Sequence, residues 1–191
     1  MLTAATPTTV WTIGHSNRSI EAFVELLEVS GIRALADVRR FPGSRRYPQF
    51  GQEQLAHTLS EAQIEYVHFP ELGGRRGARA GSRNTAWRNA AFRGYADYME
   101  TPEFETGMQH LLVLAREKQT AIMCAEALWW QCHRGLISDW LKTRGHTVLH
   151  VVGRGKVEEH PFTSAASIID GRLSYRGQEP GLPLRESGRA E

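Results

Sequence analysis

Cysteine is scarce in this sequence: Cys124 and Cys132 are the only two among 191 residues. A chain of this length buries enough core to fold without disulfides, and a reducing cytosol would keep both thiols free. The two cysteines lie eight positions apart across a polar turn, which favours a local site over a structural staple. The alternative is an accidental pair with no role beyond packing.

Long apolar runs are absent as well. No stretch approaches the roughly 20 residues that a membrane helix needs. The first residues, MLTAATPTTVWTIG, show no basic region followed by a long apolar run, so no secretory signal is visible. Hydrophobic residues make up 41% of the chain and charged residues 23%, which is typical of a globular protein. We therefore expect a cytoplasmic protein without a membrane partner.

Lysine is rare, whereas arginine is abundant. Only three of the 23 basic residues are lysine, and residues 33–93 carry eleven arginines against five acidic residues. Arginine forms flat, bidentate contacts with phosphate and carboxylate groups, so this excess suits an anionic ligand. The alternative is that codon usage favours arginine and that many of these side chains are merely solvated.

Nucleotide and metal motifs are missing too. The sequence contains no GxxxxGK and no GxGxxG, which disfavours a kinase, an ATPase or a simple dehydrogenase. No close CxxC pair occurs, and the adjacent Cys132 and His133 are awkward joint ligands for zinc. We predict neither a metal nor a cofactor.

Short β-rich runs alternate with amphipathic helical segments along the chain. This alternation predicts an α/β fold: a single domain with a five-stranded, mainly parallel sheet and helices on both faces. Asp170-Gly171 between two short apolar runs predicts a small C-terminal hairpin. The expected organisation is a flexible N-terminus over 1–9, the domain over 10–176 and a flexible tail over 177–191.

Polar and ionisable residues follow four of the predicted strands. In open parallel sheets, ligands bind at the carboxyl ends of the strands, so these residues are candidates for one site. The candidate substrate-binding residues are His15, Ser16, Arg39, Arg45, Glu71 and Arg134, and the candidate catalytic residues are Asp37, Cys124, Glu126, Cys132 and His133.

The loop after the fourth strand is the most informative, because Cys132-His133-Arg134 falls at the first turn of a predicted helix. Free N–H groups and the helix dipole favour an anion there. A thiol beside a guanidinium at such a place is acidic and can act as a nucleophile. Alternatively, the turn binds a phosphate through its backbone and the cysteine only packs. Glu126 either handles a proton or pairs with an arginine.

Five motifs in a fixed order resemble one known family. TIGHSNRSIEAFVELL, DVRRFPGSRRYPQF, PELGG, MCAE and CHR are similar to the bacterial and archaeal family catalogued as domain of unknown function 488. The resemblance covers roughly positions 10 to 152 and implies no reaction, since the family's activity is not established. Its motif positions coincide with the candidates chosen from the strand ends and add Pro42 and Ser44.

The leading hypothesis is a small cytoplasmic enzyme that acts on a phosphate-bearing or nucleotide-like substrate, either free or within nucleic acid. The first rival is a nucleic-acid or nucleotide binding module without turnover, supported by the arginine-rich span and by aromatic residues able to stack on bases. The second rival is a two-cysteine redox sensor. The aromatic candidates are Tyr47, Phe50, Trp87, Trp129 and Trp130.

Overall fold

The computed structural model describes residues 6–43 and 45–177. Ser44 and most of the two predicted flexible termini lie outside the described residues. Eight strands are present within the described ranges: β1 Thr9–Gly14, β2 Ala34–Asp37, β3 Glu65–His68, β4 Thr120–Cys124, β5 Thr147–Gly153, β6 Lys156–Glu159, β7 Ser167–Ile169 and β8 Arg172–Ser174. Five α-helices accompany them: α1 Ile20–Val29, α2 Gln52–Glu61, α3 Ala90–Tyr98, α4 Pro102–Glu117 and α5 Arg134–Thr143.

Local capping chemistry explains where several helices begin and end. The side chain of Ser19 accepts a hydrogen bond from the backbone N–H of Ala22, and Thr101 caps α4 in the same way ahead of Pro102. Gly31 and Gly145 follow α1 and α5 with positive φ angles of 66° and 81°, a conformation that glycine adopts without strain. These residues therefore set where α1 and α4 begin and where α1 and α5 end.

The main sheet has six strands in the order β3-β2-β4-β1-β5-β6, of which the first five are parallel. Helices α1 and α2 pack on one face and α3, α4 and α5 on the other, so a buried apolar layer lies on each side of the sheet. The predicted mainly parallel sheet and its helical layers are confirmed. Because β4 lies between β2 and β1, the loops after these three strands open at the same edge.

The C-terminal part adds two antiparallel features. Strand β6 pairs with β5 at the edge of the sheet and was not predicted, because its sequence, KVEE, is exposed at every position and shows no apolar alternation. The predicted hairpin is confirmed as β7–β8, and Asp170 and Gly171 form its turn with positive φ angles. No helix within the described ranges is both long and apolar enough to cross a membrane.

Candidate functional site

A cleft of about 990 Å³ opens where β1, β2 and β4 end. Its wall carries four arginines, namely Arg39, Arg40, Arg46 and Arg75, and one carboxylate, Glu126. Arg39 is neutralised by a carboxylate behind the wall, which leaves three guanidinium groups against one carboxylate. The cleft is therefore electropositive and suits an anionic ligand.

The two cysteines meet at the floor of this cleft. The sulfur atoms of Cys124, at the end of β4, and Cys132, just before α5, are in direct contact, and their Cα atoms are 7.6 Å apart. Both side chains are more than nine-tenths buried. The loop between them contains a short 3₁₀ turn, Trp129–Gln131, which brings the chain back to β4. The loop thus brings the two sulfur atoms together at one point of the cleft.

His133 is held beside Cys132 in a defined tautomer. Its Nε2 lies 3.0 Å from the carbonyl oxygen of Val38, and because a carbonyl only accepts, Nε2 carries the hydrogen. Burial lowers the pKa of His133 to about 4, so the ring is neutral at pH 7. Its Nδ1 lone pair therefore faces the sulfur of Cys132 at 3.5 Å. This is the arrangement of a base next to a nucleophile.

Arg134 lies beneath the floor of the cleft rather than on its wall. Its side chain is 1% exposed. Nε donates to the sulfur of Cys124 at 3.1 Å, Nη2 donates to the carbonyl oxygen of Glu126 at 2.5 Å, and Nη1 donates to the hydroxyl of Thr12 at 3.4 Å. Burial lowers the pKa of Arg134 to about 9, so the guanidinium remains charged at neutral pH. It supports the sulfur site from below.

Asp37, at the end of β2, holds Arg39 in place. Its fully buried carboxylate accepts from Nε and Nη2 of Arg39 at 2.9 Å and 2.5 Å, and from the hydroxyl of Tyr66 at 2.7 Å. Burial and the charge of Asp37 raise the pKa of Tyr66, so its hydroxyl stays protonated and donates. With these donors Asp37 is saturated, and it positions Arg39 instead of lining the cleft.

His15 and Ser16 form the wall that follows β1. His15 is 3% exposed and stacks on Phe50 with ring centroids 4.3 Å apart. Its Nδ1 donates to the carbonyl oxygen of Ser16 at 2.9 Å, and burial lowers its pKa to about 4. Because the ring is neutral and its hydrogen is on Nδ1, Nε2 is unprotonated and its lone pair is available to a ligand in the cleft. Ser16 has a φ of 51°, an uncommon value of the kind that clusters at functional sites.

Two glycines allow the loop after β3 to approach the site. A Cβ atom on Gly73 would lie 2.7 Å from the backbone of Arg40, and one on Gly74 would lie 2.8 Å from Nδ1 of His133. No larger residue fits either position without displacing its neighbour. Arg75, next in the chain, has a φ of 59° and also lines the cleft. The PELGG motif thus shapes the wall beside His133.

The three remaining candidates from the sequence lie at the rim of the cleft or outside it. Arg45 is exposed and does not line the cleft, whereas its neighbour Arg46 does. Glu71 lies outside the cleft, with its carboxylate 4.0 Å from His110. Glu126 stands exposed at the rim, and no arginine lies within 4 Å of its carboxylate among the described residues.

The aromatic candidates divide between core and cleft. Phe50 is fully buried, Trp87 packs against the core, and Trp129 stacks on His150 with ring centroids 4.6 Å apart. Tyr47 lines the cleft, and Trp130 is about half exposed. Three of the five are thus engaged inside the protein. Sequence reasoning missed Phe92 and Tyr95, which also line the cleft.

A buried polar chain behind the site was also missed. The hydroxyl of Thr12 donates to Nδ1 of His150 at 2.7 Å, Nε2 of His150 donates to Nδ1 of His160 at 2.9 Å, and Nε2 of His160 donates to Asp139 at 3.0 Å. Since Arg134 donates to Thr12, one line of hydrogen bonds runs from the cysteine site to the carboxylate of Asp139. Its members come from β1, α5, β5 and the segment after β6, so no local spacing in the sequence signals it.

A family model described as "Domain of unknown function DUF488" matches residues 19–141. The match covers more than half of the chain and includes Asp37, Arg39, both cysteines, His133 and Arg134. The chain belongs to the DUF488 family. The DUF488 match begins after His15 and Ser16 and ends before β5. No curated protein and no solved structure matched the chain.

Within the described ranges, no group of three or more histidine, cysteine or acidic side chains is arranged to hold a metal ion.

Proposed function

We propose that this DUF488 protein is an enzyme that binds a phosphate-bearing or nucleotide-like anion in the arginine-lined cleft and acts on it through Cys132. The observation that carries the proposal is the tautomer of His133. Its hydrogen is committed to the carbonyl of Val38, so its lone pair faces Cys132 at the floor of an electropositive cleft.

The chemistry that fits this geometry is nucleophilic displacement in the reduced protein. His133 Nδ1 takes the thiol proton of Cys132, and the thiolate forms a bond to an electrophilic carbon or phosphorus of the ligand. The leaving group departs with the electron pair of its broken bond and receives the proton from the imidazolium. A water molecule then attacks the sulfur-linked intermediate, and its hydrolysis restores the thiol. His15, through its Nε2 lone pair, is placed to accept the proton of that water.

Binding of the anion falls to the arginines that have no buried carboxylate partner. Arg40, Arg46 and Arg75 are exposed on the wall, and their forks suit phosphate oxygens. Tyr47 and Phe92 offer flat surfaces to a base or another aromatic group. Phosphate oxygens and a flat ring occur together in a nucleotide, which is why this ligand class is favoured over a simple inorganic anion.

The test is a thermal-shift titration with phosphate, nucleoside monophosphates and short oligonucleotides. A ligand that binds only the native state raises the melting temperature. Nucleotides should stabilise the wild type, and Arg75→Gln should lose that stabilisation. Arg83→Gln, at an exposed position outside the cleft, is the matched control and should keep it. If none of these anions stabilises the wild type, the proposal fails.

Two other functions are separated by the same variants. A nucleic-acid binding module would be stabilised by oligonucleotides far more than by mononucleotides, with a steep dependence on salt, and Arg83→Gln would then weaken binding. A redox sensor is favoured by one specific observation, the direct contact of the two sulfur atoms. It would respond to oxidant with no anion present.

A further inference from the structure

The two sulfur atoms have different surroundings, although they lie in contact. Cys124 accepts a charged hydrogen bond from Nε of Arg134 at 3.1 Å. Cys132 lies 3.4 Å from the backbone N–H of Arg134 and 3.5 Å from the lone pair of His133. The first environment favours a negative sulfur. The second provides a neutral backbone donor and an imidazole, without a charged donor.

Typical interaction energies indicate which of the two sulfur atoms is better stabilised as a negatively charged thiolate. A hydrogen bond to a charged group contributes about 1.5–3 kcal/mol, whereas the start of a helix contributes about 0.3–1 kcal/mol to a nearby anion. Cys124 has the guanidinium, and Cys132 has the start of α5. The guanidinium contribution is the larger, so Cys124 is the better-stabilised thiolate of the two.

Arg134 itself needs an anion at this position. Among the described residues it forms no ion pair within 4 Å with any carboxylate, although its side chain is 1% exposed. Its remaining acceptors are carbonyl oxygens and the hydroxyl of Thr12, all of them neutral. Within residues 6–43 and 45–177, the sulfur of Cys124 is the single ionisable side-chain group that the guanidinium contacts. Thr12 fixes the far edge of the guanidinium, so that Nε points at the sulfur.

We propose that the pair performs thiol–disulfide exchange with fixed roles for the two sulfur atoms. An external thiol attacks Cys132, and Cys124 is the leaving group, which departs as a thiolate paired with Arg134. An incoming small-molecule thiolate forms a bond to the sulfur of Cys132 while the Cys124–Cys132 bond breaks. The electron pair of the broken bond passes to Cys124. A second external thiolate then attacks the external sulfur of the mixed disulfide, which releases the oxidised small-molecule disulfide and leaves Cys132 reduced. In the reverse direction, Cys124 is the resolving thiolate.

This inference does not depend on the anion proposal, because the co-reactant is a thiol and the test uses an uncharged one. The protein is oxidised with diamide, treated briefly with 2-mercaptoethanol and quenched with acid and N-ethylmaleimide. Both cysteines fall in one tryptic peptide, whereas chymotrypsin cuts after Trp129 and Trp130 and separates them. Mass spectrometry then shows which cysteine carries the mercaptoethanol and which carries the maleimide.

The expected result is mercaptoethanol on Cys132 and maleimide on Cys124 in most trapped molecules. Arg134→Gln should slow opening of the disulfide roughly tenfold, since the leaving thiolate loses a charge-assisted hydrogen bond. Arg18→Gln is the matched control: this guanidinium donates to the carbonyl of Gly14, touches neither sulfur and should leave the rate within about twofold.

The wild-type mapping decides the inference even if Arg134→Gln fails to fold. Mercaptoethanol on Cys124, or an equal division between the two cysteines, would overturn it. A pair that does not oxidise, or that never forms a mixed disulfide, would overturn it as well. An unchanged rate in a folded Arg134→Gln protein would refute the part assigned to Arg134. Failure of nucleotides to stabilise the protein would leave all of these results intact.

Discussion

Acid should destabilise this protein well above the pH at which carboxylates titrate, because buried histidines are held neutral. His15 and His150 are 3% and 1% exposed, and burial lowers their pKa values to about 4 and about 3. In the unfolded chain each titrates near 6.5. Above pH 6.5 both histidines are neutral in the folded and the unfolded state, so they do not lower the free energy of unfolding. As the pH falls from 6.5 towards 4, only the unfolded chain takes up protons at these positions, and the folded protein becomes less stable.

The size of the effect follows from proton uptake. Between pH 7 and pH 5 the unfolded chain takes up nearly one proton at each of these histidines and the folded protein almost none, which costs roughly 2 kcal/mol per histidine. The loss from His15 and His150 together, ~4 kcal/mol, is a large part of the 5–15 kcal/mol by which domains are usually stable. His133 and His146, whose pKa values are also lowered by burial, add to the loss.

Urea unfolding followed by tryptophan fluorescence at several pH values between 5 and 7.5 measures this. His150→Gln should be less stable at pH 7, because the hydroxyl of Thr12 and Nδ1 of His160 lose their partner. Its pH slope should nevertheless be smaller by about one proton, or ~1.4 kcal/mol per pH unit near pH 5.5. His57→Gln, at a side chain that is 70% exposed, controls for the loss of an imidazole. A slope equal to that of the wild type in His150→Gln would refute the reasoning.

Three further substitutions have defined outcomes. Arg134→Lys should lower the melting temperature nearly as much as Arg134→Ala, because lysine keeps the charge but cannot donate to the sulfur, a carbonyl and a hydroxyl at once; a lysine variant as stable as the wild type would contradict this. Gly74→Ala should change the free energy of unfolding in urea by less than ~1 kcal/mol. It should nevertheless slow alkylation of reduced Cys132, because a Cβ atom at position 74 displaces His133. Unchanged alkylation would count against His133 as the base. Asp139→Ala should cost about 3 kcal/mol in urea unfolding, because four donors lose their buried acceptor, and a loss below ~1 kcal/mol would contradict a structural part for that chain.

The sheet and its helices could be predicted because their determinants are local. Ser19 and Thr101 cap helices within three residues of themselves, and Asp170-Gly171 specifies its own turn. The short, fully exposed β6 carries no such pattern. It forms because β5 offers an unpaired edge, a determinant that lies outside its own sequence.

The sequence predicts those residues of the site that directly follow a strand. Residues that directly follow β1, β2 and β4 reach one cleft because these strands are neighbours, which accounts for His15, Arg39 and Cys124. Arg134 was expected on the wall. Side chains in the first turn of a helix point back towards its N-terminus, and Arg134 accordingly runs under the floor towards β4.

Partners that meet only in three dimensions could not be predicted. His160 joins Asp139 across 21 residues and His150 across ten, and neither separation is a period of helix or strand. The sequence predicts Glu71 in the site because this residue follows β3. That strand lies at the edge of the sheet, and the loop after it reaches the cleft through Gly74 and Arg75 instead.

Protection of Cys132 from alkylation tests the central claim most directly. The reduced protein is treated with iodoacetamide at pH 7.5, with and without a nucleoside monophosphate, and the modified cysteine is identified by mass spectrometry after chymotrypsin digestion. We expect Cys132 to be labelled before Cys124, because a thiolate stabilised by Arg134 is the weaker nucleophile. We also expect the nucleotide to slow the labelling of Cys132 at least tenfold, because the ligand occupies the cleft above the sulfur. Labelling confined to Cys124, or a rate at Cys132 that no anion changes, would contradict it.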